Sequence, residues 1–260
     1  MTGIIIFLVV LVLLIALGLV LTSKFVKTDK AKKHTLVISS VGVFVCHYSS
    51  LLYHWIGHAV SPDTVSTALS FLHSNPNLAL PIYPCNIMMI TCIIYAFVYD
   101  KNEKLGKILC DFIICFGIVS GLGGMFANAD YFNPNVVKNF DIYKSAAAHA
   151  IMIYNILLLF VFKHFKLETP KNVLRTAIGC LMMAVVALLD SFIVLAIRDE
   201  ATVLNYNPMF LYHSPFDAND KFLTFWIIIP LFLVVLFGVL TLIETIKLPT
   251  KDRWYSKLKK

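Results

Sequence analysis

The chain has 260 residues, 59% of them hydrophobic and only 14% charged, with a formal net charge of +7. That balance is too apolar for a soluble domain of this size, and the basic residues fall in short clusters between apolar runs, which excludes a nucleic-acid stripe. The composition specifies an all-α, polytopic membrane protein, a single transmembrane helical domain over residues 1–260 whose surroundings are lipid.

In chain order, apolar spans are expected near 3–22, 36–57, 79–99, 107–127, 142–162, 173–197 and 223–246, a seven-helix bundle. Each is about 20 residues or slightly more, as a hydrocarbon core of about 30 Å requires. The first, "MTGIIIFLVVLVLLIALGLVLTSKFVK", has its positive charges after the apolar run, so it reads as a retained helix and not a cleaved leader. Lysines follow spans one, three, five and seven, while the alternate loops hold only Lys138, Lys144, Arg198 and Lys221. By the positive-inside rule the N-terminus lies outside and the C-terminus in the cytoplasm. Lysine far outnumbers arginine, whose only positions are Arg175, Arg198 and Arg253. That usage hints at an AT-rich bacterial genome and hence a bacterial cytoplasmic membrane.

The second span carries "CHYSSLLYHWIGH", in which His47, His54 and His58 are spaced seven and four apart and share one helix face. Such a stripe can hold a metal or line a solute path, although it lacks the acidic partner of HExxH. The bland alternative puts His54 and His58 at the wet interface and only His47 deep. The six cysteines all lie in apolar runs with no CxxC pair, which argues against a disulfide framework or a structural zinc site. No cofactor is expected.

The third span opens with "LALPIYPCNIMMITC". Pro81 and Pro84 resist a helix interior but fit a first turn, so the regular helix is expected to begin near Pro84 and to span only about 22 Å. Cys85 then sits in the first turn, and free backbone N–H groups around Asn86 can meet an oxyanion. Cys85 lies about six residues below the outer end of its span, and His149 and Asp190 about seven below theirs, so all three sit roughly 9–11 Å beneath the boundary. A thiol, an imidazole and a carboxylate in one layer fit nucleophile, base and orienter. The alternatives are inert packing for Cys85, an interhelix hydrogen bond for His149, and a packing bond for Asp190; His47 is a second candidate base. Asp111 and Glu244, near the cytoplasmic ends of their spans, are expected to pair with neighbouring lysines by snorkelling.

"LPIYPCN" resembles the Leu-Pro…Cys motif of the YwaF-like integral membrane proteins, His149 matches their histidine, and "LNYNPMFLYHSP", residues 204–215, resembles their Asn-Tyr…Phe-Leu…Ser-Pro motif. The resemblance covers about residues 40–245. The wider family includes an animal acyltransferase that remodels ether phospholipids with a cysteine and a histidine, and it is distantly similar to the androgen-induced membrane lipid hydrolases, which use a threonine. The resemblance therefore implies catalysis by Cys85 and His149 on a phospholipid or other acyl lipid. "YPCN" replaces the more usual bacterial "HLC", so the histidine beside the cysteine is missing. On this reading Asn86, Asn205, Tyr206, His47 and His54 contact substrate and Asp190 orients His149, with the site toward the outer leaflet. The rival expectation is a carrier or metal binder built on the histidine stripe.

Overall fold

The computed structural model describes residues 2–75, 78–126, 140–197, 200–215 and 219–259. Lys138 and Arg198, two of the four basic residues expected in the weakly basic set of loops, lie outside the described residues. Among the described residues ten α-helices follow one another: α1 Thr2–Phe25, α2 Asp29–Val60, α3 Ala68–Ser74, α4 Pro84–Val98, α5 Glu103–Cys115, α6 Gly117–Phe126, α7 Phe140–Val161, α8 Thr169–Ile197, α9 Glu200–Tyr206 and α10 Phe225–Lys247. No strand occurs among the described residues.

The elements start and stop where local chemistry dictates. Thr28 caps α2 by accepting the Ala31 N–H at 3.2 Å, and Asn102 caps α5 by accepting the Leu105 N–H at 3.0 Å. The fourth apolar run is one rod broken at Phe116, so α5 and α6 together make a 24-residue segment. Among the described residues six helical segments are long and apolar enough to cross a membrane; α4, at 15 residues, is a shorter apolar helix. Its length follows from Pro84, which lacks an N–H and takes the first helical position.

Helix α7 is the hub, packed against α1, α2 and α6, while α8 packs on α5 and α10. The core runs through α2, α4, α5, α7, α8 and α10, with Met88, Ile113, Met152, Ile156 and Leu158 almost fully enclosed. Helix α1 leans on α7 alone among its larger contacts, through Ile4 and a Thr22–Tyr154 hydroxyl pair at 2.6 Å. Phe7, Leu8, Leu11, Ile15 and Leu19 also pack inward, while others of its apolar side chains, such as Leu13 and Val20, face outward. In a bilayer that exposure needs no protein cover, since lipid is as apolar as the side chains.

A buried polar layer ties three helices together halfway along. Ser39 donates to Asn155 Oδ1 at 3.0 Å, Asn155 Nδ2 donates to Ser40 Oγ at 2.7 Å, and Ser40 donates to the Cys92 carbonyl at 3.3 Å. At the lysine-rich end the expected lysine partners of Asp111 and Glu244 are not the ones used. Buried Asp111 pairs with Arg175 at 2.9 Å. Glu244, 2% exposed, accepts the Thr169 N–H at 3.3 Å, the Thr169 hydroxyl, and the Trp254 N–H at 2.8 Å. The reason is depth: a carboxylate placed at the N-terminus of α8 finds orphan N–H groups closer than any mobile lysine.

Candidate functional site

The site lies at the end of the bundle opposite the lysine clusters, and it is built on the first turn of α4. Tyr83 is the N-cap residue; its N–H donates to Asn86 Oδ1 at 3.2 Å and its carbonyl accepts the N–H groups of Asn86 at 3.0 Å and Ile87 at 3.4 Å. The amides around Asn86 are therefore spent on the turn, contrary to expectation. The N–H of Cys85 keeps no backbone acceptor among the described residues, and the Cys85 sulfur lies against it and the N–H of Asn86. The thiol thus rests on the positive end of α4.

The Asn86 side chain has a second task. Its Nδ2 donates to His47 Nε2 at 3.2 Å, which brings α2 onto α4. The ammonium of Lys144, on α7, donates to the His47 carbonyl at 3.3 Å, and the Cys46 thiol to the Lys144 carbonyl at 3.7 Å.

Depth follows from the polar layer below. Ser40, Cys92 and Asn155 touch, and seven residues further toward the site lie His47, Cys85 and Ala148, with His149 next in sequence. Seven residues are about two turns and about 10.5 Å, so each helix presents the same face again one step higher. Cys85, His47 and His149 therefore share one layer.

His149 is 7% exposed. Its Nδ1 donates to the Ser145 carbonyl at 2.8 Å, one turn back on α7, which leaves the lone pair of a neutral ring on Nε2. Nε2 is buried and has no hydrogen-bond partner among the described residues. The ring fits only because residue 124 is glycine: a Cβ there would lie 2.0 Å from Nε2. The thiol and the imidazole share a layer without being hydrogen-bonded to each other. Lys144 is within electrostatic reach of both.

Asp190 does not orient His149. The imidazole Nδ1 is taken by Ser145, and Asp190 sits on α8 with Oδ2 buried and unpartnered. Helix α8 has its larger contacts with α5, α10, α9 and the 208–210 turn, and no hydrogen bond joins Asp190 to His149 among the described residues. Asn205 is exposed on α9, while Tyr206 lies half-buried beside the phenol of Tyr83. The residue of that motif with the structural task is Asn207, which sequence reading passed over. Its Oδ1 accepts the Tyr212 N–H at 3.0 Å and its Nδ2 donates to the His213 carbonyl at 2.8 Å. Asn207, Met209 and Phe210 all have positive φ, at 42°, 51° and 62°. Such backbone costs energy in non-glycine residues and persists only when surroundings enforce it. Here the enforcement is Met209, fully buried, whose N–H donates to the Ile82 carbonyl at 2.8 Å and so clamps the loop that carries Cys85. The Asn-Pro pair was the turn signal available.

The histidine stripe divides. His47 faces Asn86; His54 stacks on Phe71 at 3.7 Å and meets Asp141 at 3.5 Å; His58 bonds the Val65 carbonyl at 2.7 Å. Among the described residues no group of three or more histidine, cysteine or acidic side chains could hold a metal ion. Two hollows flank α4. An almost wholly apolar groove of about 150 Å³ runs past Pro81, Ile87, Ile90 and Ile94 toward Phe112 and Met183. Ile87, Ile90 and Ile94 lie half a turn round from Cys85, so the groove reaches the site only at Pro81. A smaller niche of about 40 Å³ touches His47, Asn86 and Pro81 directly.

Taken together, the apolar helices and the polar layers enclosed between them define a multi-pass membrane protein with a polar site near one end of the bundle. The chain belongs to the TMEM164 family, whose family model matches residues 2–244. No curated protein and no solved structure matches it.

Proposed function

We propose that the protein is an integral-membrane lipid acyltransferase or acyl-ester hydrolase that uses Cys85 as nucleophile and His149 as base. One observation carries the reading: a buried imidazole nitrogen without a partner shares a layer with a thiol seated in a helix first turn. An orphan buried polar atom is costly, and such costs are retained mainly where chemistry uses them. The resemblance of "LPIYPCN" and His149 to YwaF-like proteins supports the same pair.

In this mechanism His149 Nε2 accepts the thiol proton as sulfur attacks the ester carbonyl. The tetrahedral oxyanion meets the Cys85 N–H. Collapse breaks the ester C–O bond, and the imidazolium returns its proton to the departing alcohol. A second alcohol, or water, then releases the acyl group from the thioester by the reverse sequence. Sulfur and Nε2 are not in contact in the free protein, so substrate entry must draw them together. The positive-inside pattern supports a location of this chemistry toward the outer leaflet.

The test incubates nanodisc-embedded protein with a phospholipid bearing a fluorescent acyl chain. Wild type is expected to form a hydroxylamine-labile acyl-protein adduct and Cys85→Ala none. His149→Ala is expected to lower turnover by about 100-fold or more. Unchanged turnover in Cys85→Ala would remove the proposal.

A further inference from the structure

The least satisfied cation among the described residues of the site is Lys144. Sequence reading counts it as one of few positive charges in the weakly basic set of loops, yet the structure holds it half-buried on the inner face of α7. No carboxylate lies within 4.0 Å of its ammonium among the described residues, and its one hydrogen bond there is the 3.3 Å contact to the His47 carbonyl. An ammonium has three donors, so two find no described protein acceptor. The nearest acid, Asp141, is one turn away and already holds the Ser50 hydroxyl and His54. His54 is thus also close to this end of the layer, while Cys46, Cys85 and His149 complete the titratable groups around Lys144.

A half-buried cation in a membrane-spanning helix with no carboxylate within 4.0 Å among the described residues is retained at a cost, and it calls for an anion. The second sign of a missing ligand is the unpartnered His149 Nε2 in the same layer, which is 93% enclosed by the protein. We propose that Lys144 binds the phosphate of a phospholipid, holding the headgroup over the Cys85 layer so that the ester of the same molecule reaches the sulfur. The inference rests on the reading of this layer as a lipid-ester site. A phosphate and an ester lie only a few bonds apart in a glycerophospholipid, which suits one lysine and one thiol on adjoining helices. The same donor chemistry would also accept free phosphate, and the experiment separates the two sources.

Binding is measured with nanodisc-embedded Cys85→Ala protein, in which no turnover is needed, using a fluorescent phosphatidylcholine and a diacylglycerol with the same acyl chains. Lys144→Met is expected to weaken phosphatidylcholine binding about tenfold, the worth of one charge-assisted contact, and to leave diacylglycerol binding unchanged. Lys144→Arg is expected to restore most of the loss, which also shows that the position tolerates substitution. Equal loss for both lipids, or loss for neither, overturns the inference. Competition by millimolar inorganic phosphate assigns the site to the free anion and overturns the lipid assignment. If Lys144-dependent selectivity survives while wild type forms no thioester, the chemistry fails and the phosphate site stands.

Discussion

The two ends of the bundle treat their buried polar groups in opposite ways. At the lysine-rich end Asp111 has Arg175, Glu244 has Thr169 and Trp254, and Asn172 accepts the Glu168 N–H at 2.6 Å while donating to the Lys166 carbonyl at 3.0 Å. At the other end, among the described residues, His149 Nε2 and Asp190 Oδ2 have no hydrogen-bond partner, and Lys144 has one weak acceptor. Saturated polar contacts specify how helices pack; unsaturated ones call for an explanation, which the proposed ligand would supply. The backbone repeats the contrast, since among the described residues three of the four positive-φ non-glycine residues lie in the 207–210 turn at the unsaturated end.

That contrast breaks or sharpens in a graded series. The largest effect belongs to the saturated end. Arg175→Met leaves Asp111 charged and enclosed, which is expected to lower unfolding stability in mild detergent by about 3 kcal/mol. The double variant Asp111→Leu/Arg175→Met is expected to recover most of it. A negligible effect of the single change would show that this end is not held by its polar pairs. His149→Leu, at the unsaturated end, removes one bond to Ser145 but also an orphan nitrogen. Stability is then expected to move by no more than about 1 kcal/mol while lipid turnover disappears. A loss as large as that of Arg175→Met would make His149 a packing residue.

The smallest effect is at the surface of the saturated end. Lys33 pairs with Asp100, and its hydrogen bond holds the Asp100 carboxyl below the usual carboxylate range. A carboxyl depressed on folding adds stability above its unfolded value of about 3.9, and that share is lost as pH falls through the lower folded value. Lys33→Ala is therefore expected to leave the melting temperature at pH 7 unchanged within error, because the pair is exposed and screened. Only the decline below about pH 4 should change slope. A clear shift at neutral pH would mean that exposed pairs, too, hold this end together.

Much of the site was legible in the chain because proline and apolar periodicity act locally. Pro84 starts α4 where its missing N–H is harmless, and that places Cys85 in a first turn whatever surrounds it. The seven-residue ladder from Ser40 to His47 and from Cys92 to Cys85 is likewise a property of single helices. The partners of His149 and Asp190 were not legible. Three residues at one depth can face three directions, and depth is all that span counting measures. The same limit hid Lys144, which looked like a loop charge until α7 was seen to carry it inward, and Gly124, whose role exists only through a ring on another helix.

By itself the sequence determined the all-helical, multi-pass character, the short α4 and the presence of a thiol and an imidazole near one depth. Hydropathy and backbone chemistry set these residue by residue, with no need of neighbours. Only the tertiary structure decided which polar groups are satisfied. Azimuth around each helix, and the approach allowed at Gly124, emerge from packing all the rods against one another.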